Sequence, residues 1–141
     1  KTLEIDPKHK ESHNNLGNAY LSMNKTDEAI EEYMAATSIN PNYLDALFNL
    51  ARAHIAQGNV REAIRAFERI IEINTDDAEV SYNLAVLYFH EENYELAIEY
   101  CEKAIALNYA VNPTFIKQLD PHRPQALEDR AAREELKKLK P

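Results

Sequence analysis

The apolar positions of this chain fall at spacings of three and four, interrupted by short polar turns, which is the signature of amphipathic helices. Leu16, Ala19, Tyr20 and Met23 form one stripe and predict a helix over Glu11–Met23. Ala29, Ile30, Tyr33, Ala36 and Thr37 form the next, over Thr26–Ile39, where Thr26 or Asp27 stands in position to cap the first turn. Asn40-Pro41 ends that helix, because proline has no amide donor and disfavours helical geometry in the residue before it. The same alternation predicts helices over Leu44–Gln57, Val60–Ile73, Ala78–Glu91 and Tyr94–Leu107. Asn24-Lys25, Gly58-Asn59 and Glu92-Asn93 join partner helices, and connections this short force antiparallel neighbours. Glu92 is the turn residue least suited to a left-handed backbone.

The pattern also repeats at long range. Asn15-Leu16, Asn49-Leu50 and Asn83-Leu84 recur every 34 residues, and each leucine is followed thirteen residues later by Ala29, Ala63 or Ala97. A fixed period of this length predicts stacked helical units. Gly17, Ala51 and Ala85 are the small residues expected to face those alanines and let the helix axes approach closely. Leu16, Leu50 and Leu84 are expected to hold the stack together.

The unit resembles the tetratricopeptide repeat, a 34-residue helix–turn–helix with large-small pairs where its helices cross. Leu16, Gly17, Tyr20, Ala29, Tyr33, Ala36 and Pro41 stand at the signature positions of a first repeat, with His13 in place of the usual large residue. Leu50, Ala51, His54, Ala63 and Phe67 carry a second repeat, which departs at Ile70 and Thr75. Leu84, Ala85, Tyr88, Ala97 and Ala104 carry a third, which departs at Cys101 and Tyr109. The resemblance implies an all-α fold, a right-handed superhelical solenoid of antiparallel helix pairs. The expected organisation is a preceding repeat's tail over 1–9, repeats over 10–43, 44–77 and 78–111, and a closing segment over 112–141. In that segment Asn112-Pro113-Thr114-Phe115 starts a short helix to about Leu119, Asp120-Pro121-His122-Arg123-Pro124 breaks it, and a capping helix follows over Pro124–Lys140. Leu127, Ala131, Leu136 and Leu139 are its expected apolar side.

Composition narrows the partners. The formal net charge is −8, and Lys10 to Tyr109 carry 7 basic against 17 acidic residues, whereas Ala110 to Pro141 carry 7 basic and 5 acidic. An acidic array disfavours nucleic acid and anionic membrane surfaces and favours basic or neutral protein segments. No apolar run reaches the roughly 18 to 20 residues of a membrane span, so no membrane insertion is expected, and the first residues carry no signal-peptide pattern. Cys101 is the single cysteine, which excludes an internal disulfide. These features point to the cytoplasm. The missing initiator Met points to a piece of a longer chain, so a targeting or anchoring segment in the parent is left open.

In the family's architecture the first helix of each pair lines the concave face. That places Glu11, Asn14, Asn15 and Asn18, then Asp45, Phe48, Asn49 and Arg52, then Glu79, Tyr82, Asn83, Val86 and Phe89 on the inner surface. Asn15, Asn49 and Asn83 line up as an asparagine ladder. An amide offers both a donor and an acceptor, so the ladder either pairs with a peptide main chain or bonds within the array. Glu11, Asp45 and Glu79 form an acidic stripe that selects basic groups, with Arg52 beside it. Phe48, Tyr82 and Phe89 are candidate apolar anchors, and Phe48 and Tyr82 are equally placed to pack between repeats.

Chaperone-binding members of the family hold a C-terminal carboxylate with two lysines, an arginine and two asparagines. Here the asparagines stand as Asn18 and Asn49, but Asn14, Glu79 and Asn83 occupy the basic positions, so the resemblance does not extend to that clamp. No catalytic, metal or cofactor site emerges. His9 and His13 have no third ligand at suitable spacing, Cys101 shares the phase of Tyr33 and Phe67, and the chain has no glycine-rich phosphate loop. The expected function is a non-enzymatic protein-interaction scaffold that takes an extended or helical peptide in its groove. The competing readings are a structural spacer, a segment that self-associates through exposed repeat ends, or a repeat domain serving an enzyme elsewhere in the parent chain.

Overall fold

The 34-residue period reappears in the backbone itself. A computed structural model describes residues 7–139, in which every regular element is helical. The helices are α1 (Pro7–Ser22), α2 (Thr26–Ile39), α3 (Leu44–Ala56), α4 (Val60–Ile73), α5 (Ala78–His90), α6 (Tyr94–Ala106), α7 (Pro113–Leu119) and α8 (Arg123–Lys138). The reading of the first residues as the tail of a preceding repeat falls largely outside the described residues.

Asn24, Gly58 and Glu92 have φ of 60°, 77° and 61°, and Asn108 follows at 66°. Each closes its helix in the same way. Lys25, Asn59, Asn93 and Tyr109 donate their amides to the carbonyls of Tyr20, His54, Tyr88 and Ala104 at 2.8 to 3.0 Å. This six-to-one closure with a left-handed residue inside it satisfies carbonyls that the helix end leaves unpaired. Glu92 therefore adopts the conformation its side chain disfavours, because the closure is repeated regardless of the residue that fills it. The cap expected at α2 is absent: Lys25 is the capping residue and no side chain bonds there, while Asp27 and Glu28 complement the helix dipole from the first turn. Side-chain caps occur instead at α5, where Asp77 accepts from the Val80 amide, and at α6, where Asn93 accepts from Leu96.

The chain divides into two units, residues 1–75 and 76–141. In the first, Ala29, Ile30, Tyr33 and Ala53 form a buried cluster against which Tyr20, Leu21 and Leu50 pack. Gly17 is needed there because a Cβ at that position would lie 2.5 Å from the Tyr33 ring. Ala29, Ala51 and Ala63 are fully buried, as the close helix approach requires. The three stack leucines are not equivalent: Leu84 is fully buried and Leu50 partly so, but Leu16 is 42% exposed.

In the second unit, Ala85, Ala97, Ile98 and Cys101 share a core with Phe115 and Leu119 of α7 and Ala126 of α8. Asp120–His122 is a 3-10 turn that carries the chain from α7 into α8. Helix α8 docks differently from its sequence expectation. Leu127, Leu136 and Leu139 are 61%, 62% and 80% exposed, so the expected apolar side is not the docking side. The contact to α6 is built on Ala126 and on arginines: Arg123 bonds Glu102 at 3.2 Å while also holding Asp120 of the turn at 2.9 Å, and Arg133 lies 2.7 Å from Glu95. The last pair is close, but its alignment is too poor for a hydrogen bond. Residues 123, 126, 130 and 133 recur at three and four, and a periodicity that counts only apolar residues passes over arginines on that side.

Candidate recognition face

In the first unit, Glu11, Asn15 and Asn18 of α1 and Asp45 and Arg52 of α3 are all exposed, while Phe48 and Asn49 are half-buried. Between them lies Asn14, only 6% exposed, whose Oδ1 accepts from Asn49 Nδ2 at 3.0 Å. The Asn14 amide opposes the upward shift of the neighbouring Tyr43 phenol. Asn49 is thus engaged by the array, the second of the two roles open to it. Burial raises the Tyr43 phenol above its usual value, and the carboxylates of Asp45 and Glu11 push in the same direction. The Lys10 ammonium sits 5.1 Å from the centre of the Tyr43 ring, a cation–π contact.

At the other end of the same face the Tyr33 hydroxyl donates to Asn18 Oδ1 at 2.6 Å. That length suits O–H···O and is short for N–H···O, which fixes the amide orientation. Burial raises the Tyr33 phenol, and the nearby Arg52 charge opposes the shift. Tyr43 and Tyr33 are contacts of this face that the sequence reading did not single out. Tyr33 reads as core from its phase, and Tyr43 lies in a turn outside the periodic pattern.

The aromatic candidates are held by internal contacts. Phe48 packs edge-on against Phe67 at 5.5 Å between ring centres. In the second unit Tyr82 stacks on Tyr109 at 5.2 Å and meets Phe115 edge-on at 5.8 Å. Phe89 packs edge-on against Tyr94 and Phe115 at 5.5 and 5.6 Å. Such pairs contribute about 0.5–1.5 kcal/mol beyond simple burial, so these rings support the fold as well as any face they present. Glu79 is exposed there and Asn83 half-buried.

Two clefts, of about 560 and 480 Å³, are lined by none of the site residues expected from the sequence. Burial pushes the Cys101 thiol up against the opposing charge of Arg123, and burial pushes His54 down against Glu62. Among the described residues no group of three or more His, Cys, Asp or Glu is placed to hold a metal, and no helix is long and apolar enough to cross a membrane.

Helical hairpins that repeat at 34 residues define a helical-repeat protein. The chain belongs to the tetratricopeptide repeat family: tetratricopeptide repeat models match residues 48–110 and 1–31, and a TPR repeat model matches 17–58. Solved structures agree on the fold. The first TPR of Spaghetti (RPAP3), bound to the HSP90 peptide SRMEEVD, is 20% identical with a TM-score of 0.72, over 90% of this chain and 99% of that one. A crystal structure of MamA is 24% identical with a TM-score of 0.69, over 73% of this chain, which spans 60% of MamA's length. The Sgt2 TPR domain from Aspergillus fumigatus is 23% identical with a TM-score of 0.67, over 86% of this chain and 82% of that domain. A comparison with curated proteins finds no match.

Proposed function

We propose that the chain is a non-enzymatic protein-interaction module whose exposed first-helix side chains hold a segment of a partner protein. The observation that carries this reading is the set of polar groups left outward on α1 and α3, where Glu11, Asn15, Asn18, Asp45 and Arg52 are exposed on elements fixed by buried neighbours. Rigid helices with outward donors and acceptors bind at low ordering cost. Support also comes from the RPAP3 neighbour, solved with a peptide, although its ligand ends in acidic residues. The acidic array here, with Glu11, Asp45 and Glu79 on the first helices, favours a basic or neutral segment. Asn15 and Asn83 are the ladder members that serve main-chain pairing in this reading, since Asn49 is bonded to Asn14.

A peptide array screened with wild type and with Asn15→Ala/Asn83→Ala tests it. At roughly 0.5–1.5 kcal/mol per hydrogen bond, the double variant should bind selected peptides on the order of tenfold more weakly with an unchanged melting midpoint. Equal binding by the folded variant contradicts the ladder's role, and an array with no binder contradicts the module.

A further inference from the structure

We infer that the first unit's face is bipolar and reads a partner segment carrying a carboxylate and a cationic side chain about 10 Å apart. The inference rests on the interaction-module reading and adds its charge pattern. Glu11 and Asn18 are seven residues apart on α1, and so are Asp45 and Arg52 on α3. Seven residues are nearly two full turns, so each pair lies along one side of its helix, separated by about 10 Å. The two helices are aligned in the same sense. Lys10, beside the start of the face on α1, meets Tyr43, which precedes α3, and Asn14 meets Asn49 midway. At the far end Tyr33 touches Asn18 and feels the charge of Arg52.

One end is therefore net acidic, with Glu11 and Asp45 both acting on Tyr43 against the single ammonium of Lys10. The other end offers donors. Because Tyr33 donates to Asn18 Oδ1, the Asn18 NH2 group is left to donate, and Arg52 stands at the same phase one 34-residue repeat on, its charge acting on the same Tyr33. Tyr33 is a positioning residue: its ring is fully buried and lodged against Gly17, so its hydroxyl holds the amide in one orientation. Among the described residues the ion pairs do not involve Glu11, Asp45 or Arg52, and the one ammonium placed at the acidic end is that of Lys10 over Tyr43. The middle of the face is closed by the internal Asn14–Asn49 bond, which separates the two ends.

The occupant that fits is an extended segment in the polyproline II conformation. Three residues make one turn and rise about 9 Å, so Glu at i and Lys or Arg at i+3 point the same way at the required distance. Its carboxylate pairs with Arg52 and Asn18, and its cation with Glu11 and Asp45.

The test uses proline- and serine-rich 12-residue peptides on the whole chain: Glu and Lys at i and i+3, the same pair adjacent, Glu alone and Lys alone. The i, i+3 peptide should bind at least roughly tenfold more tightly than either single-charge peptide. Arg52→Gln should lower the contribution of Glu and spare that of Lys, and Asp45→Asn the reverse. Tyr33→Phe should lower only the Glu-dependent gain and shift the Asn18 side-chain amide signals in NMR, a readout that general loosening would not confine to one residue. Equal binding of all four peptides, or none, overturns the bipolar inference. The interaction module itself stands or falls on the unbiased array, so the two failures are distinguishable.

Discussion

At residue scale, Gly17 connects the fold to the recognition face. The absence of its side chain admits the Tyr33 ring, and Tyr33 in turn orients Asn18. Gly17→Ala would normally favour a helix by about 1 kcal/mol. Here the added Cβ meets a fully buried ring at 2.5 Å, with no free end to swing away. Overpacking should prevail and lower stability by about 1–3 kcal/mol, measured by denaturant unfolding. A stabilised variant would contradict the packing account. The small residue at this position was legible from its 34-residue phase with Ala51 and Ala85. The bond from Tyr33 to Asn18 was not, since a core tyrosine and a surface asparagine fifteen residues apart carry no shared periodicity. Asn14 shows the same limit: its phase is that of Phe48 and Tyr82, which gives no sign that it is a buried amide partner for Asn49.

At the scale of elements, the hairpin turns carry the strongest local constraint and the closing helix the weakest sequence signal. The equivalent positions 24, 58 and 92 all take positive φ, yet hold Asn, Gly and Glu. A left-handed backbone costs a non-glycine residue roughly 1–2 kcal/mol, part of which glycine returns as unfolded-chain entropy. Glu92→Gly should therefore stabilise the second unit by about 0.5–1 kcal/mol, seen as a raised unfolding midpoint, and a lowered midpoint would mean that the Glu92 side chain makes a compensating contact. The six helices from α1 to α6 were legible because apolar spacing and short turns state them three times over. Helix α8 was legible as a helix but not in its rotation. Its docking side uses Arg123, Arg130 and Arg133 against acidic residues of α6, and polar contacts of this kind leave no trace in an apolar stripe.

At the scale of the whole molecule, repetition explains why the fold could be read and the ligand could not. Every repeat imposes the same packing on its own small and large residues, so family and fold are encoded redundantly. The exposed positions of the first helices are free of that constraint, and each repeat fills them differently: Glu11, Asp45 and Glu79 agree in charge, whereas Asn18 and Arg52 serve the first unit alone. The central claim is that these first-helix positions, and not the second helices, meet the partner. Backbone and side-chain NMR shift mapping, with the labelled chain titrated by the strongest peptide from the array, tests it most directly. The account predicts that the largest changes fall at Glu11, Asn15, Asn18, Asp45 and Arg52 on α1 and α3; changes confined to outward residues of α2, α4 and α6, such as Glu31, Arg65 and Glu99, would contradict it.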